Sequence, residues 1–343
     1  MSTASISHPS PQRGTLGVVQ RWYGIEQVPA LPGSVVTIGN FDGVHLGHQA
    51  VLAQVTATAA QLQVPAVALT FDPHPATVHR PGQAPELLTG LQDRLELLAA
   101  TGIDATLVIP YTLDFAQFSA EEFVRRYLVE ALRVRTVVVG QDVRFGAGNS
   151  GDRNTMRELA RRWGFEVRLV ADAAEDGRPR WSSTGVRKLL AAGDAEGARA
   201  ALGRWHHMRG RVVHGEARGR ALGFPTANLA AEATGTIPAD GIYAGWLQCQ
   251  GPEGPERMPA AISIGTNPTF QGHLRQVEAH VLGRDDLDLY GDEVRVEFVS
   301  RLRPTLEFAG VEELVTQMRH DVLEAARVLG VPAPSMLPTT NAG

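Results

Sequence analysis

The sequence predicts two folded parts. The first is an α/β part built on a parallel sheet, and the second is an all-β part that closes as an antiparallel barrel under a final helix. Three observations carry this. As far as Leu202, short continuous apolar runs alternate with helical stretches, the pattern of a parallel sheet covered on both faces. Beyond it, helical periodicity stops until Val311, and short alternating stretches separated by Gly- and Pro-rich turns take over. The chain has 343 residues, enough for two separate cores.

In the first part, Val35–Ile38, Ala66–Phe71, Ala105–Ile109, Thr136–Val139 and Val167–Val170 read as strands. The helices between them fall at Leu46–Gln63, Leu91–Thr101, Ala120–Leu132 and Thr155–Gly164. Ser119 and Glu122 form a capping box at the start of the third. A short helix follows at Asp194–Leu202. In the second part, Arg209–His214, Gly241–Gln248, Pro259–Ile264, Val277–Leu282 and Glu293–Val299 read as barrel strands. Val311, Leu314, Val315, Met318, Val322, Ala325 and Leu329 recur at helical spacing, an apolar stripe that reads as core packing over the barrel. The domains are placed at 15–203 and 204–332, with disordered tails at 1–14 and 333–343.

Composition narrows the function. A hydrophobic fraction of 43% and a charged fraction of 20% describe an ordinary globular protein. A net charge of −5 argues against a nucleic-acid partner. No apolar run reaches bilayer length, and the Ser/Pro-rich N-terminus lacks the pattern of a secretory signal. The expectation is a cytoplasmic setting. Cys249 is the only cysteine and reads as a buried structural thiol. Lys188 is the only lysine, which excludes a Walker A loop. Phosphate chemistry here must therefore use Arg, His, backbone amides and a metal.

In an open parallel sheet, ligands sit beyond the carboxyl ends of the strands, and each unusual segment falls there. The first is Gly39-Asn40-Phe41-Asp42-Gly43-Val44-His45-Leu46-Gly47-His48. A glycine loop entering a helix points backbone N–H groups and the positive helix end at an anion. His45 and His48, at i and i+3, share a face of the first turn. The second segment is the stiff turn Asp72-Pro73-His74-Pro75, and the third the loop Gly140–Gly146 with Asp142, Arg144 and Phe145. Then Arg180-Trp181-Ser182-Ser183-Thr184-Gly185-Val186-Arg187 supplies N-cap residues ahead of an apolar run and a guanidinium in the first helical turns. In the second part, Gly219–Asn228 ends in Pro225-Thr226-Ala227-Asn228. Thr226 and Asn228, at i and i+2, point the same way in extended backbone and offer hard oxygens suited to Mg²⁺. Glu278 faces away from the apolar side of its strand. Taken singly, each of these segments also reads as an ordinary turn, cap or solvated carboxylate.

Together they carry a resemblance. Gly39–His48 resembles the H-x-G-H motif of the nucleotidyltransferases in its longer form G-x-F-D-G-V-H-x-G-H. Arg180–Arg187 resembles that superfamily's I-S-S-T-x-I-R signature, with Trp181 and Val186 in place of the two isoleucines. Gly219–Asn228 is similar to G-R-x-L-G-F-P-T-A-N of the riboflavin kinases. The chain thus resembles the bacterial bifunctional riboflavin kinase/FAD synthetase family over roughly residues 20 to 330.

The resemblance implies a Rossmann-like N-terminal domain of the H-x-G-H type and a six-stranded C-terminal barrel of the riboflavin kinase type. It implies ATP as co-substrate, Mg²⁺, and FMN and FAD as products. It casts His45, His48, Arg187 and Glu278 as catalytic, and Thr226 and Asn228 as metal ligands. Gly39, Asn40, Phe41, Asp42, Gly43, Arg180, Ser183, Thr184, Gly210, Gly223 and Pro225 would line nucleotide. Asp72, His74, Asp142 and Phe145 would line flavin. Val143 departs from the family, where an aromatic is usual. Two rivals remain on sequence: another H-x-G-H enzyme, and a silent flavin-binding protein on the same scaffold.

Overall fold

The computed structural model describes residues 19–170, 181–215, 219, 222–251, 253–269 and 272–335. Arg180, the lead-in 1–14 and most of the C-terminal tail lie outside them. The chain forms two compact units. One comprises the described residues up to Gly39, with Leu52–Asp72 and Leu98–Leu169. The other comprises Asn40–Val51, Pro73–Leu97 and the described residues from Val170 onward.

The first unit is organised by a six-stranded sheet of β1 (Gln20–Tyr23), β2 (Ser34–Ile38), β3 (Ala66–Asp72), β4 (Ala105–Pro110), β5 (Val134–Gly140) and β6 (Glu166–Val170). Its order is β1-β4-β3-β2-β5-β6, and the β1–β4, β4–β3, β3–β2 and β2–β5 pairs are parallel. Val36, Val67 and Leu107, on three neighbouring strands, are all 0% exposed. Each such side chain contributes about 1.5–3 kcal/mol of burial. Strand β1 is absent from the sequence reading because Gln-Arg-Trp-Tyr has one inward residue, Trp22, and no apolar run.

The helices follow the sequence with local differences. α1 (Leu46–Leu62) and α3 (Leu91–Ala100) stand as expected. The Ser119/Glu122 capping box opens α4 (Ala120–Phe123) with both of its bonds made, but the chain then continues as a π-helix over Val124–Ala131. α5 (Arg153–Trp163) starts two residues before the expected Thr155, because Asp152 accepts from the N–H groups of Asn154 and Thr155. The segment Asp72–Pro75 is more than a turn, since Pro75 opens the short helix α2 (Pro75–His79) with His74 as its cap.

The second unit contains α6 (Ser183–Ala191), α7 (Ala195–Leu202), a closed barrel and α8 (Val311–Leu329). The barrel strands are β7 (His206–Val213), β8 (Ala227–Leu229), β9 (Gly241–Gly251), β10 (Gly254–Thr269), β11 (Gly272–Val281) and β12 (Glu293–Arg303). They close antiparallel in the order β10-β11-β8-β7-β12-β9. Alternation places Ile262, Ile264, Val277, Ala279 and Val296 in one core. The sixth strand, β8, is three residues long and lies inside the motif that reads as a turn. Leu88, Val186, Leu190, Ala198 and Leu202 bind α6 and α7 together. Cys249 is a buried free thiol, and burial is the main cause raising its pKa.

His206, on β7, is 2% exposed, and its Nε2 lies 2.7 Å from the Thr236 carbonyl. That carbonyl can only accept, so the ring is neutral with its proton on Nε2. Burial pushes its pKa from 6.5 down to about 3. As pH falls, the unfolded chain takes up this proton first, so the stability is whole above 6.5 and is lost between 6.5 and about 3. The slope is up to about 1.4 kcal/mol per pH unit. We expect the urea midpoint to fall as pH drops from 7 to 5, and the His206→Gln variant to show a shallower fall. Equal slopes in the two proteins would contradict this.

Candidate active sites

The H-x-G-H loop is held in unusual backbone. Phe41, Gly43 and Val44 all have positive φ, at 49°, 79° and 39°. For a β-branched residue such as Val44 that conformation is an outlier, costing on the order of 1–3 kcal/mol. Phe41 and Val44 are nevertheless buried, at 2% and 1% exposure. A Cβ on Gly43 would come within 2.7 Å of Leu88, so both space and φ require glycine there. A Cβ on Gly47 would lie 3.1 Å from the His45 ring, which explains the small residue between the two histidines.

Side chains hold this loop through its carbonyls. Arg94 Nη1 donates to Asn40 O at 3.1 Å, Arg204 Nη2 to Gly43 O at 2.7 Å, and Gln49 Nε2 to Val44 O at 2.8 Å. Asp42 is 2% exposed and accepts from the Thr89 N–H at 3.2 Å. Its other oxygen takes the Arg187 guanidinium, whose Nε also donates to the Glu86 carbonyl at 2.6 Å. The Ser183 hydroxyl donates to Asp42 O at 2.8 Å. Ser182, not Ser183 or Thr184, caps α6 by accepting from the Gly185 N–H. Thr184 is exposed.

The His45 and His48 rings stack with centroids 3.7 Å apart. His45 Nδ1 accepts from the His48 N–H at 3.4 Å, so neutral His45 carries its proton on Nε2. His48 Nδ1 is buried with no hydrogen-bond partner among the described residues. Burial, then repulsion from His45, holds the His48 pKa well below 6.5. His74 completes the group: its Nδ1 accepts from the Ala76 N–H, and its Nε2 lies 3.1 Å from the Asn40 amide. Burial is the first cause lowering its pKa, with Asp42 opposing and Arg187 and Arg94 adding to it. Asn40, Asp42, His45, His48, His74 and Arg187 thus form one cluster, to which sequence reasoning did not assign Arg94, Arg204 or Gln49. An isolated charge on a helix or linker carries no sequence signal of that kind.

The remaining N-terminal candidates belong to the first unit. Gly39 donates its N–H to the Leu69 carbonyl at 3.1 Å. Asp72 ends β3 and its carbonyl accepts from the Tyr111 N–H. Asp142 is exposed on the loop after β5. Phe145 is corrected. Its ring is 6% exposed in the hydrophobic core, 6.0 Å from Phe123, and presents no open aromatic face.

The second cluster lies on the barrel. Asn228 on β8 pairs in register with Glu278 on β11. Thr226 Oγ1 donates to Glu278 Oε2 at 3.2 Å, and Asn228 Nδ2 to Thr226 Oγ1 at 3.2 Å. Asn228 Oδ1 is buried with no hydrogen-bond partner among the described residues. His280 Nδ1 lies 2.8 Å from the Pro225 carbonyl, fixing the start of the motif against β11.

Thr226, Asn228 and Glu278 line one side of a cleft of about 450 Å³. Leu222, Phe224, Phe308, Leu314, Met318 and Val322 form its apolar side. The stripe on α8 is therefore corrected: it packs on the barrel and also walls this cleft. Thr226 and Asn228 border a second cavity of about 50 Å³, with Gly215, Pro225, Arg284 and Tyr290. Gly223, with φ +86°, shapes the turn. Gly210 lines neither space. It lies against Ala233, where a Cβ would come within 2.6 Å, so the packing there requires glycine.

A histidine-rich glycine loop at a helix start and a Thr–Asn–Glu cradle on a barrel define a nucleotide-dependent transferase of phosphorus groups. Residues 28–185 match the family model for FAD synthetase, and residues 202–329 that for riboflavin kinase. The bifunctional riboflavin kinase/FMN adenylyltransferase of Escherichia coli K12 is 36% identical over 314 residues, covering 91% of this chain and 98% of the relative. That of Listeria monocytogenes is 35% identical, covering 94% and 96%. A crystal structure described as a macrolide-efflux protein from Streptococcus pneumoniae superposes with a TM-score of 0.79 at 29% identity, over 88% of this chain and 97% of that one. The chain belongs to the bifunctional riboflavin kinase/FMN adenylyltransferase family, with the adenylyltransferase region first and the kinase region second. Among the described residues no helix is long and apolar enough to cross a membrane.

The buried, stacked position of His48 sets its titration. In NMR of ring-labelled histidine, the resonance lost in His48→Ala should titrate with a midpoint below 6.5. A midpoint at or above 6.5 would contradict the stacked, desolvated geometry.

Proposed function

We propose that the two clusters catalyse two successive reactions, riboflavin to FMN on the barrel and FMN to FAD at the H-x-G-H loop. The observation that carries this is their independence. The loop residues Asn40, Asp42, His45, His48, His74 and Arg187 and the barrel residues Thr226, Asn228 and Glu278 share no member.

On the barrel, the apolar side of the cleft takes the flavin rings and the ribityl chain runs toward Glu278. The Glu278 carboxylate accepts the proton of the 5′-hydroxyl as its oxygen attacks the γ-phosphorus of ATP, and ADP leaves. Thr226 holds one Glu278 oxygen and so aims the other. Mg²⁺ fits this site, because the Thr226 hydroxyl and the partnerless Asn228 Oδ1 are adjacent hard oxygens. When bound, it neutralises charge on the transferring phosphoryl group. No group of three or more His, Cys, Asp or Glu that could hold a metal occurs among the described residues, so the remaining ligands would be water and phosphate oxygens.

At the loop, a phosphate oxygen of FMN attacks the α-phosphorus of ATP, and pyrophosphate leaves. The nucleophile is already anionic, so no strong base and no covalent intermediate are needed. His45 and His48 donate hydrogen bonds to the α-phosphate oxygens as negative charge builds there. Arg187 and the first N–H groups of α6 receive the departing pyrophosphate. For Asp72 and Asp142, contact with flavin rests on the family resemblance. A cytoplasmic monomer or weak homo-oligomer without nucleic-acid partners completes the reading.

With riboflavin and ATP resolved by chromatography, His48→Ala should lower FAD formation roughly 10²–10³-fold and leave FMN formation intact. Glu278→Ala should lower FMN formation about 10²–10⁴-fold while FAD still forms from supplied FMN. Loss of both activities in each folded variant would refute separate sites. Asn228→Ala should raise the Mg²⁺ concentration needed for half-maximal FMN formation and leave that for FAD formation unchanged. Equal Mg²⁺ dependence before and after the substitution would remove Asn228 from the metal site.

A further inference from the structure

The loop that carries His45 and His48 is held in its left-handed backbone partly from outside the region that matches FAD synthetase. That region ends at residue 185, whereas Arg204 falls within the stretch matching riboflavin kinase, 202–329. Arg204 nonetheless reaches back to the loop. Its Nη2 donates to Gly43 O at 2.7 Å, and its Nη1 lies 3.5 Å from Val44 O and 3.4 Å from Leu202 O. Gly43 and Val44 are two of the residues with positive φ, and His45 follows them directly.

The fork of one guanidinium thus spans consecutive carbonyls in the part of the loop whose conformation is least favourable, using two nitrogens at a fixed planar spacing that a single-nitrogen ammonium lacks. Gln49 repeats the pattern with Nε2 bonds to Val44 O at 2.8 Å and Leu202 O at 2.9 Å. The Arg204 Nε is buried without a hydrogen-bond partner among the described residues. Gly203, in left-handed backbone with φ +72°, ends α7 and turns the chain toward the loop. Burial lowers the Arg204 pKa to about 10, with Asp93 opposing that shift, so it stays charged at neutral pH. Asp93 is itself held by His207 at 3.2 Å, Arg209 at 2.8 Å and Arg295 at 2.8 Å, all on barrel strands.

We infer that Arg204 is a positioning residue for adenylyl transfer, a kinase-region side chain that sets the backbone from which His45 and His48 act. It touches neither substrate nor reacting atoms. Its effect passes through the Gly43 and Val44 carbonyls to the orientation of the two rings. This rests on the H-x-G-H loop being the adenylyl-transfer site.

The test compares Arg204→Ala, Arg204→Gln and Arg204→Lys with His48→Ala in the full chain, following FMN formation and FAD formation separately. For Arg204→Gln we expect kcat of FAD formation to fall at least about tenfold, in line with the cost of small misplacements of catalytic groups. KM for ATP and FMN should stay within about twofold, and FMN formation should be unchanged. Arg204→Lys should fall short of wild type, since a single rotatable ammonium does not reproduce the fixed two-nitrogen fork. In Arg204→Ala, added guanidinium ion at millimolar concentration should restore part of the lost FAD formation, which a general loss of stability would not allow. Wild-type FAD formation in both Arg204→Gln and Arg204→Ala, or equal losses of FAD and FMN formation in Arg204→Gln and Arg204→Lys, would overturn the inference. If His48→Ala itself retained FAD formation, the reading of the loop as the active site would fail instead.

Discussion

The H-x-G-H loop depends on backbone held where most side chains resist being placed. Left-handed φ at Phe41, Gly43 and Val44 turns the chain sharply enough to bring His45 over Gly47 and against His48. Such a conformation persists only where the surroundings over-determine it. Here they do so twice over, by burial of Phe41 and Val44 and by side-chain donors on the Asn40, Gly43 and Val44 carbonyls. Asp42 adds a third constraint from the opposite side, anchoring Arg187 and, through its carbonyl, Ser183. The result is two stacked imidazoles, of which His48 is held well below its ordinary pKa by burial and then by repulsion from His45.

The barrel reaches a comparable degree of order without strain. Asn228 and Glu278 are cross-strand partners, so strand register alone brings amide and carboxylate together. Thr226 lies two residues earlier and bridges them by its hydroxyl. One chain therefore fixes two groups of polar side chains by two physical means. The first is a loop held by many side chains, and the second is a ladder that needs only its pairing. The first is more exposed to disturbance from distant residues, because its geometry is borrowed from α3, α6 and the segment after α7.

Much of this was legible in the sequence. Continuous apolar runs located β2 to β6, and the change of period near Leu202 located the barrel. Motif residues that stand apart in the sequence meet in the structure: Arg187 with Asp42, and Thr226 and Asn228 with Glu278. Three kinds of feature were not legible. Strands β1 and β8 are too short or too polar to show a period, and β8 is hidden in a segment whose Gly and Pro signal a turn. Phe145 and Gly210 sit in motif-like surroundings but serve packing, which only the three-dimensional neighbours reveal. Met318 and Leu314 show the opposite case, since helical spacing cannot say whether an apolar face meets core or cleft. Arg94 and Arg204 lack any local pattern, because what each grips is a backbone carbonyl far away in sequence.

The central claim is that ATP is broken at two different phosphorus atoms in two different places. The most direct measurement supplies riboflavin with ATP labelled either at the α- or at the γ-phosphate and follows the label into each flavin. The γ label should enter FMN and be carried on into FAD, while the α label should appear in FAD and never in FMN. An α label in FMN, or FAD that lacks it, would contradict the account.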